Sequence, residues 1–145
     1  MKLIIINGPN LNLLGNREPD IYGKEGFGGY LEKLRAWFPN VHIDYFQSNL
    51  EGELISKIQD TGAWVDGIVL NAGGYTHTSV ALADALAAMK APVIEVHISN
   101  IFAREDFRHR SLIGPHCTGC IAGFGLDSYR LAVQNFIHSG QKNKG

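Results

Sequence analysis

The chain has 145 residues, 45% of them hydrophobic, and its 13 Lys and Arg nearly balance its 14 Asp and Glu. This size suits a single domain, residues 1–145, with a hydrophobic core and a C-terminal tail that frays from about Gly140. The lack of a basic excess argues against nucleic acid or an anionic membrane as a partner, and no apolar run approaches the roughly 20 residues of a spanning helix.

Short apolar runs alternate with segments of helical period along the chain. The first run, the four apolar residues that follow Met1 and Lys2, is far too short for the apolar region of a signal peptide, so we expect a cytoplasmic protein. Strands that alternate with helices form a parallel sheet, so the sequence predicts an α/β, flavodoxin-like three-layer sandwich with strand order 2-1-3-4-5. The predicted strands lie near Lys2–Ile6, Val41–Phe46, Gly67–Asn71, Pro92–His97 and Gly119–Gly123.

Helices are predicted after each of the first three strands and after the last. Ser48 and Glu51 have the spacing of a capping box that opens the second helix, and the last helix runs from about Leu126 to His138. A charged stretch follows the fourth strand, where Arg104 and Arg108 would share a face if the segment is helical. The apolar positions at helical spacing are Phe27, Tyr30, Leu31, Leu34, Trp37 and Phe38 in the first helix, Leu50, Leu54, Ile55 and Ile58 in the second, and Val80, Ala83, Leu86 and Ala87 in the third.

Polar segments follow three strands whose carboxyl ends should meet at one edge of the sheet, beside the switch point where open α/β sheets bind ligands. The first strand leads into NGPNLNLLGNREPDIYG, the third ends in NAGGYTHTS, and the fourth ends in EVHISN. Gly15, Gly23 and Gly26 would let the first segment move as a lid over the site. The sequence therefore predicts a small-molecule site, with candidate groups Arg17, Tyr22, His77, Glu95, His97 and Ser99.

Glu95 and His97 are two positions apart in a strand, so their side chains point to the same side. A carboxylate beside an imidazole can hold its tautomer and raise its pKa, which suits a general acid. The helix after NAGGYTHTS could bind a carboxylate or phosphate at its amino end. An ordinary helix cap by Thr76, Thr78 or Ser79 is the alternative.

Arg17 and Tyr22 share the first polar segment. A free tyrosine has a pKa of about 10, and lowering it by two to three units needs about 3–4 kcal/mol of preference for the anion. A guanidinium close by, in a site shielded from water, could supply that preference, and Arg17 is the candidate. The alternative is that the Tyr22 hydroxyl only anchors the loop. Arg104 and Arg108 are either solvated surface or ligands of a substrate oxygen.

The two cysteines, Cys117 and Cys120, form a single CxxC motif. A redox motif of this kind opens a helix, whereas this one runs into a predicted strand, and a second pair of zinc ligands is missing. We therefore expect two reduced thiols and no metal or other cofactor.

The segments NGPNLNLLGNREPDIYG, NAGGYTHTS and EVHISN, the last followed by REDFRHRS, closely resemble the type II 3-dehydroquinate dehydratases. The resemblance covers nearly the whole chain. It implies a flavodoxin-like enzyme that dehydrates 3-dehydroquinate to 3-dehydroshikimate in the shikimate pathway without a metal or organic cofactor. It also implies a homo-oligomer, a dodecamer of trimers, in which Asp84 reaches into a neighbouring subunit's site.

By the same resemblance, Tyr22 would be the base that removes a proton from the carbon next to the ketone, and Arg17 would hold it as tyrosinate. His97, beside Glu95, would protonate the departing hydroxyl, and Asn10 would help to hold the intervening enolate. The substrate-binding residues that the resemblance implies are Asn71, His77, Asp84, Ile98, Ser99 and Arg108.

The alternative is a flavodoxin-like module without catalytic activity, such as a phosphoacceptor receiver or a flavin carrier. A receiver needs an acidic pair after the first strand and an aspartate at the end of the third. Asn7 and Asn71 stand at those strand ends, so the sequence disfavours this function.

Overall fold

A computed structural model of the chain describes residues 1–14 and 26–142, with side chains up to residue 140. Its sheet has five parallel strands in the order β2-β1-β3-β4-β5, which confirms the predicted α/β class and strand order. The strands are β1 (Lys2–Asn7), β2 (His42–Gln47), β3 (Gly67–Asn71), β4 (Val93–His97) and β5 (Gly119–Ala122).

Helices cover both faces of this sheet: α1 (Gly26–Trp37), α2 (Glu51–Thr61), α3 (Val80–Ala87) and α4 (Asp127–Lys142). Successive side chains of β1 point to opposite faces, so Leu3 packs in the layer of α1 and α4 while Ile4 packs in the layer of α2 and α3. Strand β1 is central and buried on both faces, which explains why Leu3–Ile6 is a continuous apolar run. No helix within the described ranges is long and apolar enough to cross a bilayer.

Four positions expected at apolar helical spacing are exposed instead. Trp37 is 52% exposed, Leu50 60% and Val80 64%, and Ala87 is also exposed. Leu54, Ile58, Ala83 and Leu86 are buried as expected. Each helix meets the sheet through a narrow stripe, so apolar residues at its margin or its end remain in contact with solvent.

The predicted capping box of α2 is wrong. The Ser48 hydroxyl accepts the N–H of Leu50 at 3.0 Å, and the helix begins at Glu51 with Leu50 as its N-cap and no side-chain cap. Glu51 is thus the first helical residue, two positions too early to close a capping box with this N-cap, although its carboxylate still favours the positive end of the helix.

The charged stretch after β4 forms two short 3₁₀ turns, Ile101–Ala103 and Asp106–Arg108, because Arg104 between them has an extended backbone. Arg104 and Arg108 therefore do not share a face of one helix. At the C-terminus, α4 continues to Lys142, beyond the predicted end at His138 and into the segment expected to fray.

The exits of β1 and β3 pack tightly against each other. The N–H of Gly8 donates to the carbonyl of Asn71 at 2.7 Å, and a Cβ atom at Gly8 would lie 2.6 Å from the carbonyl oxygen of Ala72. Only glycine allows this approach without moving the backbone. The contact holds the first polar segment beside the end of β3, where the cavity opens.

Candidate active site

A cavity of about 560 Å³ opens at the carboxyl edge of the sheet, between the exits of β1, β3 and β4. This is the switch point of the strand order, as expected for an open α/β sheet. The structure brings these predicted residues together as lining of the cavity: Asn10, Asn71, His77, His97, Ile98, Ser99 and Arg108.

The other predicted residues lie elsewhere. Glu95 lies two residues before His97 in β4, so it contacts His97 from within the sheet rather than from the cavity. Asp84 is exposed on α3 and is absent from the described lining of the cavity. Arg17 and Tyr22, and the glycines Gly15 and Gly23 of the predicted lid, lie outside the described residues.

Asn10 sits at the cavity in a left-handed backbone conformation, with φ 70°. Among residues other than glycine, asparagine tolerates this region best. Its backbone N–H donates to Oδ1 of Asn49 at 3.0 Å. This bond ties the loop after β1 to the loop after β2 and leaves the Asn10 amide at the edge of the cavity.

Glu95 and His97 form a buried pair at the end of β4. Nε2 of His97 donates to Oε2 of Glu95 at 2.6 Å, and the two residues are 5% and 1% exposed. With Nε2 committed to the carboxylate, Nδ1 is the ring nitrogen left for a ligand, because imidazole has only two. The predicted contact is therefore present, and it fixes which nitrogen could act on a substrate.

The environment keeps the Glu95 carboxylate ionised. Burial raises the pKa of this group, but hydrogen bonds from His97 and Ser111 and the charge of His97 outweigh burial, so the pKa lies below its ordinary value. A lowered pKa in the folded state means that the ionised carboxylate stabilises the fold at neutral pH. That contribution is lost as the pH falls through the folded-state pKa.

Ser111 is a contact that the sequence analysis missed. Its hydroxyl donates to Oε1 of Glu95 at 2.7 Å and accepts the N–H of Gly114 at 2.9 Å. The incoming N–H fixes the direction of the hydroxyl, so its proton points at the carboxylate. Only the position of Ser111 at the end of REDFRHRS could have pointed to it.

Ser111→Ala should lower kcat about tenfold, because a hydrogen bond to a charged group is worth roughly 1.5–3 kcal/mol and part of it aligns the carboxylate. KM should change little, since Ser111 does not line the described cavity. Steady-state kinetics of Ser111→Ala and Ser111→Thr check this. Recovery of kcat in Ser111→Thr is expected, because threonine keeps the hydroxyl. Equal kcat in Ser111→Ala and the unmodified protein would contradict the role.

His77 faces the cavity with a defined tautomer. Its Nδ1–H donates to the carbonyl of Arg110 at 2.7 Å, so Nε2 of the neutral ring is an acceptor. The rings of His77 and His97 lie 6.2 Å apart between centroids and are inclined by 20°. An acceptor at this distance from His97 suits a hydroxyl group of a ligand.

Two arginines bring positive charge to the cavity. Nε of Arg108 donates to Oε2 of Glu105 at 2.7 Å, and Nη1 of Arg104 donates to the Ser99 hydroxyl at 3.4 Å. Arg104 also lines the cavity; the sequence raised both arginines as possible ligands, and the family resemblance selected only Arg108. Together with Ser99, they form a surface suited to an anionic ligand.

A buried hydrogen-bond chain holds the ends of β1 and β3. Nδ2 of Asn71 donates to the hydroxyl of Tyr129 at 2.9 Å, and that hydroxyl donates to Oδ1 of Asn7 at 2.8 Å. Burial raises the pKa of Tyr129 well above its usual range, so the hydroxyl stays protonated. Oδ1 of Asn71 also accepts the N–H of Gly73, at 3.2 Å. Asn71 thus organises the cavity wall as well as lining it.

The amino end of α3 is capped by its own side chain. The Ser79 hydroxyl accepts the N–H of Leu82 at 2.9 Å. This is the ordinary cap that the sequence left open as the alternative to an anion site.

The two cysteines lie close to Glu95. Burial, followed by the negative charge of Glu95, raises the pKa of both thiols to about 12, so they are protonated at neutral pH. The Cys120 thiol donates to Oε2 of Glu95 at 3.5 Å. Glu95, His97 and Cys120 also form a group whose potential metal-ligand atoms all lie within 4.8 Å of one another.

Comparison with known proteins identifies the family of the chain. The family model described as dehydroquinase class II matches residues 1–137. A 3-dehydroquinate dehydratase of Campylobacter jejuni subsp. jejuni (serotype O:23/36, strain 81-176) is 55% identical over 139 residues, which cover 94% of this chain and 87% of that protein. One from Exiguobacterium sp. (strain ATCC BAA-1283 / AT1b) is 51% identical over 138 residues, 94% of each chain.

Solved structures give the same result. The crystal structure of a type II dehydroquinase from Butyrivibrio crossotus DSM 2876 superposes with a TM-score of 0.87 at 46% identity, covering 94% of this chain and 97% of that one. A 3-dehydroquinate dehydratase-like protein from Bifidobacterium longum has a TM-score of 0.70 at 29% identity, covering 95% and 96%. From these matches over nearly its full length, the chain belongs to the class II dehydroquinase family.

Proposed function

We propose that this protein dehydrates 3-dehydroquinate to 3-dehydroshikimate, as a cofactor-independent hydro-lyase of the shikimate pathway. The observation that carries the proposal is the buried His97–Glu95 pair, which opens on a cavity lined by two arginines. An imidazole held by a carboxylate can donate a proton, and the arginines suit the oxygen atoms of the substrate. The names of the relatives support the same reaction.

The elimination needs one base and one acid. Tyr22, as tyrosinate beside Arg17, takes a proton from the carbon next to the ketone, and the electron pair moves into an enolate whose oxygen is held by Asn10. The enolate then re-forms the ketone and expels the hydroxyl. Protonated His97 gives its proton to that hydroxyl, which leaves as water. Glu95 holds the imidazolium and orients it.

Substrate binding would use the remaining lining residues. The substrate carboxylate is assigned to the Ser99 hydroxyl and the backbone of Ile98, with Asn71 nearby, and the ring hydroxyls to Arg108 and His77. The acceptor nitrogen of His77 and the position of Arg108 at the cavity support these assignments.

The assembly proposed is a dodecamer of trimers in the cytoplasm. Asp84 supports it, because this residue is exposed on α3 rather than in the described lining of its own cavity. An exposed carboxylate on a helix is free to reach a neighbouring subunit's site. Size-exclusion chromatography with light scattering gives the mass of the assembly.

The alternative, a non-enzymatic receiver or flavin module, lacks support at the strand ends. Asn7 and Asn71 carry amides, so neither offers a carboxylate to a phosphate or metal. Both are also buried, and their side chains are hydrogen-bonded to Tyr129.

The proposed reaction is tested by adding 3-dehydroquinate to the purified protein and following the absorbance of the conjugated enone of the product. Turnover is expected without any added metal or cofactor. Borohydride added with the substrate should leave no covalent adduct, because the proposed mechanism forms no Schiff base. Folded protein that produces no enone would overturn the proposal.

A further inference from the structure

Three side chains that bind transition metals meet on one face of the sheet, next to the cavity. Glu95 and His97 alternate along β4 and so share a face, and Cys120 on β5 is the register partner of Glu95. Because adjacent strands hold all three, their relative positions are set by the sheet itself. Their ligand atoms lie within 4.8 Å of one another.

The spacing fits a tetrahedral ion. Bonds of about 2.0–2.2 Å to oxygen and about 2.3 Å to sulfur place the two ligand atoms about 3.5 Å apart around zinc. Oε2 of Glu95 and Sγ of Cys120 are 3.5 Å apart in the structure. The His97 Nε2 to Glu95 Oε2 distance of 2.6 Å is shorter, and an ion between them would open it to about 3.3 Å.

The donor set also selects the kind of ion. A carboxylate, an imidazole and a thiolate suit zinc and similar borderline-soft ions rather than Mg²⁺ or Ca²⁺, which prefer oxygen ligands alone. Ser111 already holds Oε1 of Glu95 and leaves Oε2 for the ion. Three protein ligands leave a fourth position for water.

We propose that Glu95, His97 and Cys120 bind a zinc-like divalent ion, and that the bound ion inhibits the enzyme. Cys120 is exposed while Glu95 and His97 are buried, so the ion reaches the thiol first and then the inner two ligands. The ion replaces the proton on Sγ, which passes to solvent. The inhibitory part rests on the proposed function.

The bound ion inhibits the enzyme because it replaces the hydrogen bond between His97 and Glu95. Nε2 of His97 and Oε2 of Glu95 bind each other in the free protein. When both bind the ion, the Nε2 proton is displaced to solvent, the neutral ring keeps a single proton on Nδ1, and the carboxylate no longer orients the ring through this hydrogen bond. Giving up that last proton would leave an imidazolate, so His97 no longer serves as the acid for the departing hydroxyl.

Binding is measured with Co²⁺, whose thiolate complexes show a charge-transfer band in the near ultraviolet. The full-length protein should bind one Co²⁺ per chain with this band, and Zn²⁺ should displace it. In Cys120→Val the band should disappear and the Zn²⁺ dissociation constant should rise at least about tenfold. Valine suits the strand and has no ligand atom.

Cys117→Ala is the matched control, since Cys117 is the other thiol near Glu95 but its Sγ donates to the carbonyl of Ile113 at 3.4 Å. It should keep both the band and the affinity. A band that survives in Cys120→Val, or is lost in Cys117→Ala, would overturn the site.

Inhibition is measured separately, as turnover of 3-dehydroquinate with increasing Zn²⁺ in thiol-free buffer, relative to each variant without metal. The expected result is inhibition that EDTA reverses and that needs at least about tenfold more Zn²⁺ in Cys120→Val. Binding without inhibition would overturn the inhibitory role and leave the site. Co²⁺ binding through Cys120 in a protein that never turns over 3-dehydroquinate would instead overturn the proposed function.

Discussion

His97→Ala should lower kcat by about 10²–10⁴-fold, the contribution that a positioned general acid usually makes. The reason lies in the geometry of the dyad. Nε2 is held 2.6 Å from a buried carboxylate, which aligns the ring and leaves Nδ1 for the substrate. Without the ring, hydroxide must leave unprotonated. KM should stay within a few-fold, because Arg108 and Ser99, which are assigned to substrate binding, remain.

Two further variants sharpen this test. Glu95→Gln keeps the shape of the side chain but removes its charge, so kcat should fall while KM again changes little. His138→Ala removes an exposed histidine on α4 and should behave like the unmodified protein. Steady-state kinetics, with circular dichroism to confirm folding, give these values. If His97→Ala keeps more than about a tenth of the normal kcat, His97 is not the acid.

Tyr22→Phe should reduce kcat at least as strongly, by about 10²–10⁴-fold, with substrate affinity nearly unchanged. The hydroxyl oxygen is the proposed base, and phenylalanine retains the ring without it. Tyrosinate at neutral pH requires about 3–4 kcal/mol of stabilisation relative to a free tyrosine. Because Arg17 is the proposed source of that stabilisation, Arg17→Met should reduce kcat for the same reason.

The control for Tyr22 is Tyr75→Phe. The hydroxyl of Tyr75 donates to the carbonyl of Asn49 at 2.9 Å and does not line the described cavity, so its loss should leave kcat nearly unchanged. Substrate binding to the slow variants is measured by isothermal titration. Near-normal turnover by Tyr22→Phe would exclude tyrosinate as the base.

The fold was predictable because its main signals are local. The apolar run at Leu3–Ile6 and the alternation of strands with helices indicated a parallel sheet, and the loop chemistry at the strand ends located the switch point. The exposure of Trp37, Leu50 and Val80 was not predictable from spacing. Periodicity identifies apolar positions, but whether one is covered depends on tertiary packing.

The site was predictable where its residues follow strands. Asn10, His77, His97 and Ser99 follow or end strands that topology brings together. Ser111 was missed because it is 16 positions from Glu95 and reaches it only through two 3₁₀ turns, which have no periodic signature. The sequence pairs Cys120 with Cys117 in a CxxC motif, but in the structure the Cys120 thiol contacts Glu95 on the neighbouring strand.

The hydrogen bond between Tyr129 and Asn7 spans 122 positions of the chain. Because Tyr129 follows all five strands in the chain, the ends of β1 and β3 cannot be joined through this hydroxyl until residue 129 has left the ribosome exit tunnel. The same bond is a long-range contact that must wait for closure of nearly the whole chain. The wall of the cavity is therefore completed only after every strand has been synthesised, and a chain that stops short of α4 would lack both the bond that joins the ends of β1 and β3 and the buried cover of one face of the sheet.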